Sequence, residues 1–200
     1  MRAEGLKRKA LEAALLLAET RAWSQVTLAE ITAEAGLSLA DLHGVTDKDR
    51  LSAAVEPMLD QAMSEGSLDP SETPRTRLFD VLMMRFEAME DRRDGVMSFL
   101  RWRDGSLSGL ALRVKAREAT ARWAIACAGL DGESSLIKGG MQLGLIWAIA
   151  QAERAWRSET SPDLTRTMAC LDAELLKLEA RLKRVAGLRS SRSTEAETST

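Results

Sequence analysis

The chain has no tyrosine, one histidine (His43), two cysteines, three phenylalanines and four prolines among its 200 residues. Few side chains are therefore on hand for acid–base or nucleophilic chemistry. The motifs that carry such chemistry are missing too: there is no glycine-rich phosphate loop, no dinucleotide fingerprint, no His-Glu-x-x-His and no Gly-x-Ser-x-Gly. An enzyme is not expected, nor a metal or an organic cofactor. Cys127 and Cys170 lie far apart, without metal-ligand spacing, and read as ordinary thiols of a reducing compartment. The first nine residues lack the apolar stretch of a signal peptide, so a cytoplasmic location is expected. The longest apolar stretch, residues 139–150, is interrupted by Gln142 and falls short of the roughly 20 residues that span a bilayer. No excess of one charge sign exists either. With 28 basic and 30 acidic residues, the chain has no global attraction to nucleic acid or anionic lipid, and any such binding must come from a local patch.

What is present is helical periodicity, almost from end to end, with no sustained alternation of strand type. An all-α fold follows. Leu11, Ala14, Leu15 and Ala18 build one apolar stripe on a first helix over residues 6–21. Thr27 with Glu30, and Ser38 with Asp41, have the spacing of capping boxes for a short second helix ending at Gly36 and a very short third ending at His43 and Gly44. Thr46 with Asp49 repeats the pattern before a fourth helix over residues 47–65, where Pro57 predicts a kink or break. The polar segment 66–73 is a boundary, after which Thr73 and Pro74 open a fifth helix with Phe79, Leu82, Met83, Phe86 and Met89 on its apolar face. A short apolar segment between Gly95 and Gly105, a helix over 107–128 and an unusually apolar one over 133–158 follow. The last helix, opened by Ser161, Pro162 and Asp163, carries Leu164, Met168, Leu171, Leu175, Leu178, Leu182 and Val185 in steps of four and three, an a/d seam. From residue 188 the chain is polar and is expected to be a disordered tail.

Short helices with a glycine turn between the second and third, then a long connecting helix and a larger helical region, resemble the TetR family of transcriptional regulators. The stretch Val26-Thr-Leu-Ala-Glu-Ile-Thr-Ala-Glu-Ala-Gly-Leu-Ser38 is similar to that family's helix-turn-helix, and Lys48 with Leu51 falls where its fourth helix starts. Downstream, Arg77-Leu-Phe-Asp-Val-Leu-Met83 and Thr160-Ser-Pro-Asp-Leu-Thr-Arg-Thr-Met-Ala-Cys-Leu-Asp172 resemble a branch related to COQ9, a TetR-fold lipid-binding protein of ubiquinone biosynthesis. The resemblance implies a helix-turn-helix head over residues 1–50, a ligand-binding and dimerisation region over 51–187, and pairing of two copies through the last two helices. Two functions follow as expectations: a dimeric regulator that binds double-stranded operator DNA under control of a small hydrophobic effector, or a COQ9-like lipid carrier that no longer binds DNA.

The recognition helix departs from the family pattern. Leu39 stands where a phosphate-binding lysine is expected, Asp41 where a threonine is, His43 at a tyrosine position and Gly44 at a basic one. Residues 1–50 carry seven basic side chains against eight acidic ones, a poor basis for counterion release from duplex DNA. The DNA-facing candidates are Lys7, Arg8, Lys9, Thr27, Ser38, Leu39, Ala40, Asp41, His43 and Lys48. The basic cluster Lys7–Lys9 reads equally as phosphate contact or as a solvated helix start, and His43 as a base reader or, by preference, a packing group. Phe79, Met83, Phe86, Phe99, Trp102, Trp123, Met141, Leu145 and Trp147 are candidates for an apolar ligand pocket, or simply core. Gly140, Gly144, Leu164, Met168, Leu171, Leu175 and Leu178 form a seam that is internal or, as the resemblance implies, intersubunit.

Overall fold

The computed structural model describes residues 2–66 and 69–197, without the side chains of residue 2 and residues 186–197. Its helices are α1 (Arg2–Thr20), α2 (Leu28–Glu34), α3 (Leu39–Leu42), α4 (Lys48–Gln61), α5 (Pro74–Glu90), α6 (Arg93–Gly105), α7 (Leu107–Cys127), α8 (Ser135–Arg157) and α9 (Thr165–Glu197), and no strand occurs among the described residues. They form two compact units, one of Met1–Glu65 with Met84–Thr120 and one of Gly66–Met83 with Ala121–Thr200.

The interior of the first unit begins with the α1 stripe, since Leu11, Ala14, Leu15 and Ala18 are all buried. It faces α6 at very close range. A Cβ on Gly95 would lie 2.4 Å from the Leu15 carbonyl oxygen, so only glycine lets these two backbones meet. Both predicted capping boxes are present. The Thr27 hydroxyl accepts from the Glu30 amide at 3.3 Å and Glu30 accepts from the Thr27 amide at 2.9 Å. Ser38 and Asp41 do the same at 3.2 and 2.9 Å. Gly36 and Gly44 supply the left-handed turns that end α2 and follow α3, at φ 64° and 75°.

Two details of α4 differ from expectation. Its cap is Asp47, which accepts from the Arg50 amide at 2.8 Å, whereas the Thr46 side chain is buried. The helix also runs unbroken through Pro57. Pro57 and Ala53, the residue four places earlier, are both on the exposed side, where water can satisfy the orphaned carbonyl. On the opposite side a charged cluster holds the helix on either flank of the proline. Glu56 pairs with Arg85 and Arg103, while Asp60 accepts from Arg85 Nε at 2.7 Å and from the Thr120 hydroxyl at 2.8 Å. All four charged side chains are buried.

In the second unit α8 and α9 lie side by side. Leu171, Leu175 and Leu178 are buried there, and Gly144 faces Leu178 so closely that a Cβ would meet its Cδ1 at 2.3 Å. Thr73 caps α5 as expected, its hydroxyl accepting from the Thr76 amide at 3.2 Å. The last helix begins at Thr165, later than residues 161–163, because its cap is a side chain further back. The Glu159 carboxylate accepts from the amides of Arg166 and Thr167 at 2.9 and 3.0 Å and from those of Thr160 and Ser161, both at 3.1 Å. Burial works to raise its pKa, but these amides outweigh that and hold it at about 2. Leu164, drawn inside between the two pairs of amides, takes a left-handed φ of 53°. Of the tail expected to be disordered over 188–200, the backbone of 188–197 continues α9, while its side chains and residues 198–200 lie outside the described residues, as do residues 67 and 68 of the expected boundary.

Candidate nucleic-acid interface

The head's exposed surface is built by its turns. Because the capping boxes consume Thr27, Ser38, Glu30 and Asp41 locally, these residues fix where α2 and α3 start. Asp41 is half-buried and accepts from both the Ser38 amide and the Ser38 hydroxyl, at 2.9 and 2.7 Å. Its charge is thereby satisfied inside the cap rather than aimed at a groove. Thr27, Ser38, Leu39, Ala40 and His43 are exposed, Leu39 to 53%, so the α3 turn presents a short, largely apolar edge. His43 is a surface group, not the packing group preferred from the sequence. Glu30 is engaged twice: Arg21 Nη1 reaches its Oε1 at 2.6 Å, and that bond, with the Thr27 hydroxyl and amide, holds its pKa down at about 2.

Lys48 is placed otherwise than a phosphate contact requires. Its Nζ lies 4.0 Å from the centre of the Trp23 ring and has no hydrogen-bond partner among the described residues. Burial pushes its pKa down to about 8, against the pull of the Glu30 charge. The platform beneath it is rigid. Trp23 is buried, donates from Nε1 to the Ser52 hydroxyl at 3.0 Å and from its backbone amide to Ser98 Oγ at 2.9 Å, and packs edge-on against Phe99 at 5.2 Å. Trp102 completes the cluster, 5.7 Å from Phe99. Phe99 and Trp102 thus belong to the support of the head's lysine.

The remaining cations gather at the start of α1. Lys9 is exposed, and Arg8 is exposed with a long 3.9 Å pair to Glu12. Lys7, Arg8 and Arg50 rim a shallow hollow of about 410 Å³ with Glu4 at its edge and Leu11, Val45 and Met58 on its floor. Arg50, not one of the sequence candidates, is exposed in the first turn of α4, two residues from Lys48 and so on a different face.

The nine pocket candidates are divided between the two units. Phe86, Phe99 and Trp102 belong to the first unit and Phe79, Met83, Trp123, Met141, Leu145 and Trp147 to the second. Met83, Phe86, Phe99, Met141 and Leu145 are buried core, Phe79 is half-buried, and Trp123 and Trp147 are 44% and 55% exposed. Trp147 donates from Nε1 to Glu174 at 3.0 Å. Of the seam residues, Leu164, Leu171, Leu175 and Leu178 are spent inside the unit, Met168 and Gly144 are half-buried, and Gly140 is exposed. What α8 leaves outside is Leu136, Leu143 and Trp147, on one face by their helical spacing with Gly140; α9 leaves Ala169, Ala173, Leu176 and Ala180. Among the described residues no helix is long and apolar enough to cross a membrane.

No protein-family model matches the chain, and no curated protein is significantly similar to it in sequence. Solved structures are similar in fold. A TetR transcriptional regulator from Nitrosomonas europaea ATCC 19718 superposes with a TM-score of 0.71 at 17% identity, over 87% of this chain and 98% of that one. One from Rhodococcus sp. RHA1 does so with a TM-score of 0.63 at 19% identity, over 87% and 94%. The chain has the all-α fold of TetR transcriptional regulators.

Proposed function

We propose that the protein is a cytoplasmic, dimeric transcriptional regulator that binds double-stranded DNA mainly through its backbone and answers to a small hydrophobic effector. The observation that carries this reading is the capped, outward-facing α3 turn with Leu39, Ala40 and His43 exposed and Thr27 and Ser38 beside it. Lys7, Arg8, Lys9 and Arg50 supply the phosphate contacts. The base contacts are few: His43 can donate or accept, and Leu39 and Ala40 offer only methyl contacts. Low sequence specificity follows. Lys48 serves the head by stacking on Trp23 and reaches a phosphate only by leaving that ring. Two copies pair through the outer faces of α8 and α9, where Leu136, Leu143, Trp147 and Leu176 are exposed. An electrophoretic shift with DNA flanking the gene, at about 50 and then about 200 mM salt, tests this: binding at the lower salt that weakens steeply at the higher is expected. No binding at either defeats it.

A lipid carrier of the same fold is the second reading, favoured by the stowed Lys48 and by the seven basic against eight acidic residues of the head. Native mass spectrometry of protein purified from its own host separates the two, since a carrier emerges with lipid bound and a regulator that binds DNA without lipid does not.

A further inference from the structure

The second unit contains a hollow of about 320 Å³ between the first turns of α5, the turn after α7, and the facing sides of α8 and α9. Leu78, Leu130, Ile137, Met141, Leu175 and Leu182 are among its walls. Polar links tie the elements around it together. Arg75 ties α5 to α9 through Asp172 at 2.6 Å and Glu179 at 3.7 Å, and Arg77 Nη1 donates to the Ala128 carbonyl at 2.8 Å. α8 and α9 already touch through Gly144 and Leu178, itself a wall of the hollow, so the two helices close further only by displacing that leucine. An apolar hollow kept open in this way leaves its lining short of contacts that a ligand can supply.

The mouth decides the chemistry. Its charged residues are Arg75 and Lys183 against Glu133 and Glu179. Lys183 pairs with Glu179 at 2.8 Å, and Arg75 is shared between Glu179 and Asp172. The cations are committed to carboxylates of the chain, so an entering anion finds no free positive charge and must lose its own hydration. We infer that this hollow binds a small neutral amphiphile, with an apolar body among the leucines and one uncharged polar end at the Arg75–Glu179–Lys183 mouth. Binding stands by itself, whereas its role as the effector site rests on the regulator reading above.

The test uses the full chain, N-phenyl-1-naphthylamine as a fluorescent reporter, and octan-1-ol and octanoate as matched competitors. Octan-1-ol is expected to displace the dye at about one-tenth the concentration octanoate needs. Leu182→Trp and, as a second filling variant, Ile137→Phe are expected to lose octan-1-ol binding while keeping the helical circular dichroism of the unaltered chain. Glu179→Gln frees Lys183 and leaves Arg75 paired with Asp172 alone, and octanoate should then gain about tenfold on octan-1-ol. Failure of octan-1-ol to displace the dye, octanoate binding as tightly as the alcohol, or full binding in both filling variants overturns the inference. A gel shift with octan-1-ol present separates the two readings. Displacement without any DNA binding leaves the ligand site standing and sinks the regulator; DNA binding that octan-1-ol leaves unchanged removes only the effector role.

Discussion

In the first unit four charged side chains, Glu56, Asp60, Arg85 and Arg103, lie in the interior, whereas the α8–α9 seam of the second is lined by Leu171, Leu175 and Leu178 against a glycine. Both unite helices from distant parts of the sequence, but by different physics. The leucine seam removes apolar surface from water and adds stability roughly in proportion to area. The ion cluster adds less on balance, because its charges have been taken out of water too. What it supplies is direction: Glu56 and Asp60 on α4, Arg85 on α5, Arg103 on α6 and Thr120 on α7 satisfy one another in one arrangement. The helix α4 is thus indexed by charge, and it runs unbroken past Pro57 on its outer side.

The contrast can be broken first at Glu56. Glu56→Ala leaves two buried guanidinium groups short of their shared carboxylate and should cost about 3–5 kcal/mol in urea unfolding; a loss under about 1 kcal/mol would make the cluster incidental. Leu171→Ala removes buried volume without stranding any charge and should cost about 2–5 kcal/mol by the same measurement. A finer comparison uses two glycines. An alanine Cβ at Gly95 meets the Leu15 backbone, and one at Gly144 meets the tip of the Leu178 side chain. Gly95→Ala should therefore destabilise by about 1–3 kcal/mol, and Gly144→Ala by under about 1 kcal/mol because the leucine tip can turn aside.

The smallest effect is one of pH. Glu159 in the folded chain has its pKa lowered from 4.5 to about 2, so its contribution is complete above pH 4.5 and disappears as the pH falls toward 2. Thermal melts of Glu159→Gln should show a shallower decline than the unaltered chain across that window. Parallel curves for the two proteins would place the acid response elsewhere.

Features that depend on residues three or four apart were legible beforehand. The capping boxes at Thr27 and Ser38, the α1 stripe and the Thr73–Pro74 start of α5 are all of this kind. The start of α9 was read too early because Glu159 reaches seven residues forward to Arg166, past a left-handed Leu164. The ion cluster has a trace in the sequence: Glu56 and Asp60 stand one turn apart, on the side of α4 that also carries the buried Leu59. Lys48 looked like a phosphate contact because the motif says nothing of Trp23, 25 residues before it in the chain and supported by Ser52 and Ser98.

The amino-acid order alone determined the helices, most of their ends and the thinness of charge on the head, since backbone hydrogen bonding and capping act within a single turn. Only the folded chain decided which apolar stripes were consumed and which stayed outside, placing Leu171 and Leu178 within and Leu143 and Trp147 without. Periodicity marks the face of a helix that must be covered, whereas the identity of the cover depends on partners scores of residues away, and these meet only after the chain has closed on itself.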